Sequence, residues 1–231
     1  MNAHAVILPF SEEWIFWNSI TFVFIGFLIF IGKKLDNKSQ LKFAKFLAIF
    51  FALEFVAIQS YYVHQGIWMV QESLPFHLCR LMWFAAMITL LTRHQIAFEL
   101  LLFVGMAGGL HSLLTPELTH GVDFILLVDY FLVHGGLIAV PLYCVFIFGM
   151  RPRRMAWLKA FFYLQIPVAA VAIIDFILGA NYMYLVTKPS VENLFLIGDW
   201  PYYIIGLELA TLLHAFIVYL PFYFKKEFLK H

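Results

Sequence analysis

FILLVDYFLVHGGLIAVPLYCVFIF, residues 124–148, carries a single charged side chain, Asp129, in a run long enough to cross a bilayer as one helix. A helix that is apolar all round has no face suited to water, so the stretch reads as membrane-embedded. Six more runs of spanning length can be drawn, at 14–32, 43–63, 75–92, 96–114, 157–179 and 201–224. The 231-residue chain is 63% hydrophobic and only 13% charged, which lies outside the range of soluble domains. The expected fold is therefore all-α: a single membrane domain, a bundle of seven transmembrane helices in a multi-pass protein of the cell membrane.

Orientation follows from Lys and Arg, which are retained on the cytoplasmic side of helix ends. Lys33, Lys34, Lys38, Lys42, Lys45, Arg93, Arg151, Arg153, Arg154, Lys159, Lys225, Lys226 and Lys230 all fall on one side of a seven-span topology. Only Arg80 and Lys188 fall on the other. This places the N-terminus outside and the C-terminus in the cytoplasm. The first helix is expected to stay, because Glu12 and Glu13 flank it in place of the positive charge of a cleavable signal. The net charge of +1 gives no reason to expect nucleic acid, and no protein partner is implied. The two cysteines, Cys79 and Cys144, lie toward opposite ends of their helices and are expected to be free thiols.

Ionisable groups inside a bilayer cost about 2.5–3.5 kcal/mol each on insertion scales, so each calls for a partner or a role. By helix position, Glu54 lies mid-way along helix two, His77, Cys79 and Arg80 begin helix three, and His111 is near the outer end of helix four. Asp129 and His134 belong to helix five, Asp175 to helix six, and Glu208 and His214 to helix seven. Most of them lie in the outer half. The inner half reads as aliphatic and aromatic, so the pattern predicts a polar cavity opening outward and closed beneath.

Pro75 suits a first helical turn, with Ser73 or Glu72 as a cap, which sets Cys79 one turn inside the start of helix three. The helix dipole and Arg80 there favour a thiolate, whereas burial opposes it. A cysteine nucleophile needs a base, and His134, His111 and His77 are the candidates. Counted from the outer helix ends, Cys79 lies about 6 Å deep and His134 about 15 Å, which matches His111 better. Plainer readings exist for each group: Cys79 as core filler, Arg80 snorkelling to lipid phosphate, and Glu54 and Glu208 as interhelical hydrogen-bonding groups. Gly105, Gly108, Gly109, Gly135 and Gly136 read as close-packing positions.

LPFHLCRL (74–81), LLTPEL (113–118), YFLVHGGLIAVPLY (130–143) and NYMYLVTKP (181–189) followed by LFLIGDWPYYI (194–204) resemble, in order, the bacterial YwaF-like integral membrane family, which is grouped with eukaryotic transmembrane protein 164. The resemblance implies seven helices, the bacterial plasma membrane and, from the eukaryotic branch, an acyltransferase that moves fatty acyl chains between phospholipids through a cysteine. Carried onto this chain, it implies Cys79 as nucleophile and His134 as its partner.

The leading expectation is a membrane-embedded acyl-transfer enzyme acting on phospholipid, with Cys79 and His134 catalytic. Arg80, His77, His111, Asp129, Glu54 and Glu208 would bind membrane lipid as substrate, and no metal or other cofactor is called for. The alternatives are a metal-dependent lipid hydrolase built on His77, His111, His134 and Asp129, or a non-enzymatic carrier or sensor of a small molecule.

Overall fold

Every apolar run forms helix in the computed structural model, which describes residues 5–189 and 195–224. Lys225, Lys226 and Lys230 of the basic tail, and Leu194 of the LFLIGDWPYYI stretch, lie outside the described residues. The order is β1 (Ala5–Val6), α1 (Glu12–Lys34), α2 (Asn37–His64), α3 (Leu78–Thr92), α4 (Gln95–Leu100), a π turn (Leu101–Gly105) and α5 (Met106–Leu114). There follow β2 (Glu117–Leu118), α6 (Phe124–Phe146), α7 (Ala156–Leu178), a 3-10 turn (Tyr182–Tyr184) and α8 (Tyr202–Tyr223). Among the described residues five helical units are long and apolar enough to cross a membrane: α1, the continuous Gln95–Leu114 unit, α6, α7 and α8. The chain is thus an all-helical, multi-pass membrane protein.

Side chains at the helix ends show how the bundle is tied. At the upper end, where α1 and α6 begin, Trp14 Nε1–H donates to Leu114 O and Asn18 Nδ2–H to Leu113 O, joining α1 to α5. Ala5 and Val6 pair antiparallel with Leu118 and Glu117, which fastens the N-terminal segment to the LLTPEL stretch. At the lower end Gln40 Nε2–H donates to Gly32 O and Leu35 O, closing the turn between α1 and α2.

Two expectations need correction. Helix three begins at Leu78, not Pro75, with His77 as a cap residue of extended backbone and no side-chain cap. The polar groups ahead of it are already engaged: Ser73 Oγ accepts from Met69 N at 3.0 Å and meets His120, while Leu74 N–H donates to Tyr182 Oη. The inner half is also less purely apolar than its composition suggests. Glu99 is 1% exposed about one turn above the lower end of the Gln95–Leu114 unit, and its carboxylate accepts from Arg153 N, Nε and Nη2, the last at 2.7 Å.

The short α3 matters for depth. Cys79 lies thirteen residues before Thr92 and His134 twelve before Phe146, so both stand about 18–20 Å above their lower helix ends. The mismatch counted from the upper ends disappears, because α3 starts well inside the bundle.

α3 and α6 approach closely because glycine faces tryptophan. A Cβ at Gly136 would overlap the Trp83 ring, which is fully buried, stacks on Phe51 at 3.9 Å and donates to Glu54. Gly136→Ala is expected to cost about 1–3 kcal/mol by overpacking, whereas Gly26→Ala, with open space around it, is expected to be neutral or slightly stabilising. Thermal unfolding in detergent checks the contrast; equal effects would show that the α3–α6 contact is not tight.

Candidate active site

Arg80, the residue after Cys79, is clamped between two other helices. Its Nη2 donates to both carboxylate oxygens of Asp129 on α6, at 2.7 and 2.6 Å, and its Nη1 donates to Glu54 Oε1 on α2 at 3.2 Å. The three side chains are 14%, 12% and 9% exposed, so this is an interior ion cluster of one cation and two carboxylates. The planar guanidinium suits the task, because its two edges can meet two partners at once. Trp83 Nε1–H donates to Glu54 Oε2 at 2.8 Å one turn further along α3.

That clamp holds the first turn of α3 against a cavity of about 400 Å³, walled by α3, α5, α6, α7, α8 and their upper connections. Cys79 is half-buried on its wall, and Arg80, His77, His111, Asp129, His134 and Glu208 line the same space. Glu54 does not line it and meets Arg80 from behind. Both cysteines are free thiols, and Cys144 is buried in the core.

The thiol lies 4.0 Å from Ser112 Oγ, and Gly108 leaves room for it: a Cβ there would stand 3.7 Å from Sγ. Gly108, His111 and Ser112 follow the π turn, an extra-wide helical turn of the sort that often accompanies functional sites. Tyr130 Oη donates to Ser112 O at 2.9 Å, and its ring lies 4.1 Å from that of His134. His134 Nδ1 lies 2.7 Å from Tyr130 O, which fixes that nitrogen as the donor and leaves the lone pair on Nε2. Among the described residues no hydrogen bond joins Cys79 directly to His134. Gly109 brings α5 onto the backbone of His134, where a Cβ would stand 2.7 Å from its carbonyl oxygen.

Between α5 and α8, His111 Nε2 meets His214 Nε2 at 3.0 Å, and His214 Nδ1 is fixed by Ala210 O at 2.6 Å. Glu208 accepts from Gln165 Nε2 at 3.0 Å. Among the described residues no three His, Cys, Asp or Glu side chains converge as a metal site would require, and Asp129 is committed to Arg80. His77 packs edge-on against Tyr182, 4.9 Å between ring centres, at the start of α3.

Ser112, Tyr130 and Tyr184 also line the cavity, although sequence reasoning did not single them out. The spacing of Tyr130 four residues before His134 was the available signal for one of them, since i and i+4 share a helix face.

The clamp generates a test. Asp129→Asn loses the shorter, two-oxygen contact and is expected to destabilise by about 2 kcal/mol; Glu54→Gln, which leaves Arg80 paired one-to-one, is expected to cost under about 1 kcal/mol. Arg80→Ala, stranding two buried carboxylates, is expected to cost about 3–5 kcal/mol. Unfolding midpoints in one detergent give the order, and Glu54→Gln proving the worst of the three would contradict the geometry.

A family described as the TMEM164 family matches residues 7–219 of the chain. No curated protein and no solved structure matches it.

Proposed function

Because the chain belongs to the TMEM164 family, we propose that it is a phospholipid acyl-transfer enzyme of the bacterial plasma membrane. In this reading α2 and α3 cross with the five apolar units, making seven spans, the upper end faces outward and the C-terminus is cytoplasmic. Membrane lipid is the substrate. The observation that carries the proposal is the position of Cys79: second residue of a helix with no side-chain cap, on the wall of a cavity that also holds His134.

The first N–H groups of a helix have no intrahelical acceptor, and the dipole adds partial positive charge where they point. Uncapped and beside a cavity, those of α3 suit an oxyanion. The acyl chain of the donor lies along Leu164, Val168 and Leu207, which line the cavity from α7 and α8. Cys79 gives its thiol proton to His134 Nε2, and sulfur attacks the ester carbonyl. The tetrahedral intermediate then collapses as its C–O bond breaks. The departing lysolipid alkoxide takes the proton back from His134, leaving a thioester on Cys79. A lysolipid hydroxyl reverses these steps: it loses its proton to His134, attacks the thioester and releases the thiolate, which is reprotonated.

Arg80, Glu54 and Asp129 act in this scheme as the frame that aims Cys79, since Arg80 already has two anionic partners. His77, His111 and Glu208 contact the substrate from the cavity wall.

Transfer of a labelled acyl chain from phospholipid to lysophospholipid, by the purified protein in lipid nanodiscs, tests the proposal. Cys79→Ala is expected to abolish transfer, His134→Gln to slow it about 10²–10⁴-fold, and Cys144→Ala to leave it unchanged. Transfer that survives Cys79→Ala would overturn the nucleophile.

A further inference from the structure

The NYMYLVTKP stretch has no part in the scheme above, yet it forms one wall of the cavity. Asn181 braces it: Nδ2–H donates to Thr187 O and Oγ1, and Oδ1 accepts from Val186 N and Thr187 N. Tyr182 anchors it to the segment before α3, donating to Val70 O at 2.7 Å and accepting from Leu74 N. Trp200 Nε1–H donates to Leu185 O, and Tyr203 Oη donates to Tyr184 O at 2.8 Å.

Inside this brace Met183 and Tyr184 have φ of 55° and 58°, two consecutive L-residues in the left-handed region. Residues other than glycine hold that conformation where the surroundings compel it, and such sites cluster at active centres. Both residues line the cavity. What the brace presents there is the Tyr184 side chain.

Its hydroxyl is unlike those of the neighbouring tyrosines. Tyr130 Oη donates to Ser112 O, Tyr182 Oη to Val70 O and Tyr203 Oη to Tyr184 O. Among the described residues no hydrogen bond uses the Tyr184 hydroxyl. Burial, with the Glu117 carboxylate and the Cys79 thiol nearby, raises its pKa above the ordinary phenol value, so it remains a proton donor across working pH. His77, 6.4 Å away ring to ring, is the remaining titratable neighbour on α3's approach.

Tyr184 also stands at a boundary. A second cavity of about 550 Å³ adjoins the first, walled by polar groups such as Gln71, Asn181, Thr187 and Lys188, and Tyr184, His77 and Glu117 line both spaces. A phospholipid ester lies at the same kind of boundary, between a polar headgroup and an apolar chain. A lipid with its headgroup in the second chamber and its chain along Leu164, Val168 and Leu207 of the first would bring its ester carbonyl past Tyr184, which lines both.

We propose that Tyr184 is a further catalytic residue, whose hydroxyl donates a hydrogen bond to the carbonyl oxygen under attack by Cys79, completing the oxyanion site begun by the N–H groups of α3. This rests on the acyl-transfer reading. The phenol keeps its proton throughout, so the residue stabilises charge and transfers no group.

Tyr184→Phe deletes a hydroxyl that makes no internal bond, so the variant is expected to fold with an unchanged unfolding midpoint and an unchanged rate of Cys79 alkylation by iodoacetamide. In the nanodisc transfer assay its kcat is expected to fall about 10²–10³-fold, with KM within about twofold. Incorporating 3,5-difluorotyrosine at position 184, whose more acidic phenol loses its proton at lower pH, is expected to bring the alkaline loss of rate to lower pH than in the native protein, where Tyr184 stays protonated; a purely structural role would not do this. Cys79-dependent transfer that Tyr184→Phe leaves within about twofold, or an unmoved alkaline limb, would overturn the Tyr184 role alone. Transfer absent from wild type, or unaffected by Cys79→Ala, would overturn the acyl-transfer reading and the Tyr184 role with it.

Discussion

A buried arginine between two carboxylates sets the geometry of this protein. Arg80 has a partner on α2 and another on α6, so the first turn of α3 cannot slide or rotate without stranding charge in an apolar interior. Such a cluster is poor as a source of stability, because desolvating three ions offsets much of their attraction. Its worth is in register. It holds a helix start, with Cys79 beside it, mid-way down the bundle at the level of His134, where a full-length helix would have placed Cys79 near the upper end.

The rest of the site follows from that placement. Glycines at 108, 109 and 136 thin the helices where the thiol, the His134 backbone and the Trp83 ring must come close. Ser112 and Tyr130 link α3, α5 and α6 through the thiol contact and the Ser112 carbonyl. The segment after α7 then lines the cavity with Met183, Tyr184 and Leu185, braced by Asn181 and by the hydroxyls of Tyr182 and Tyr203.

The helices were legible because lipid imposes one strong constraint: about 20 apolar residues in a row with backbone groups satisfied internally. α6 follows from residues 124–148 alone, trimmed by two at its lower end. The residues of the cavity were legible for the related reason that polar groups in membrane helices need partners, and Cys79, His111, His134 and Glu208 do share one space. The start of α3 was not. Pro75 carries an ordinary helix-start signal, and nothing local shows that Ser73 Oγ is bound to Met69 N or that Leu74 N is bound to Tyr182. Those are tertiary contacts, the second with a residue 108 positions away. The pairing of Glu99 with Arg153 is hidden in the same way, as is the left-handed backbone at Met183 and Tyr184, for which no glycine stands as a marker.

The most direct measurement is the mass of the Cys79 peptide after the purified protein is incubated with a phospholipid bearing an isotopically heavy acyl chain. The account predicts a heavy acyl adduct on Cys79 that hydroxylamine removes, as it removes thioesters, and no adduct on Cys144. A Cys79 peptide that stays unmodified while lipid is turned over, or an adduct on Cys144 in its place, would contradict it.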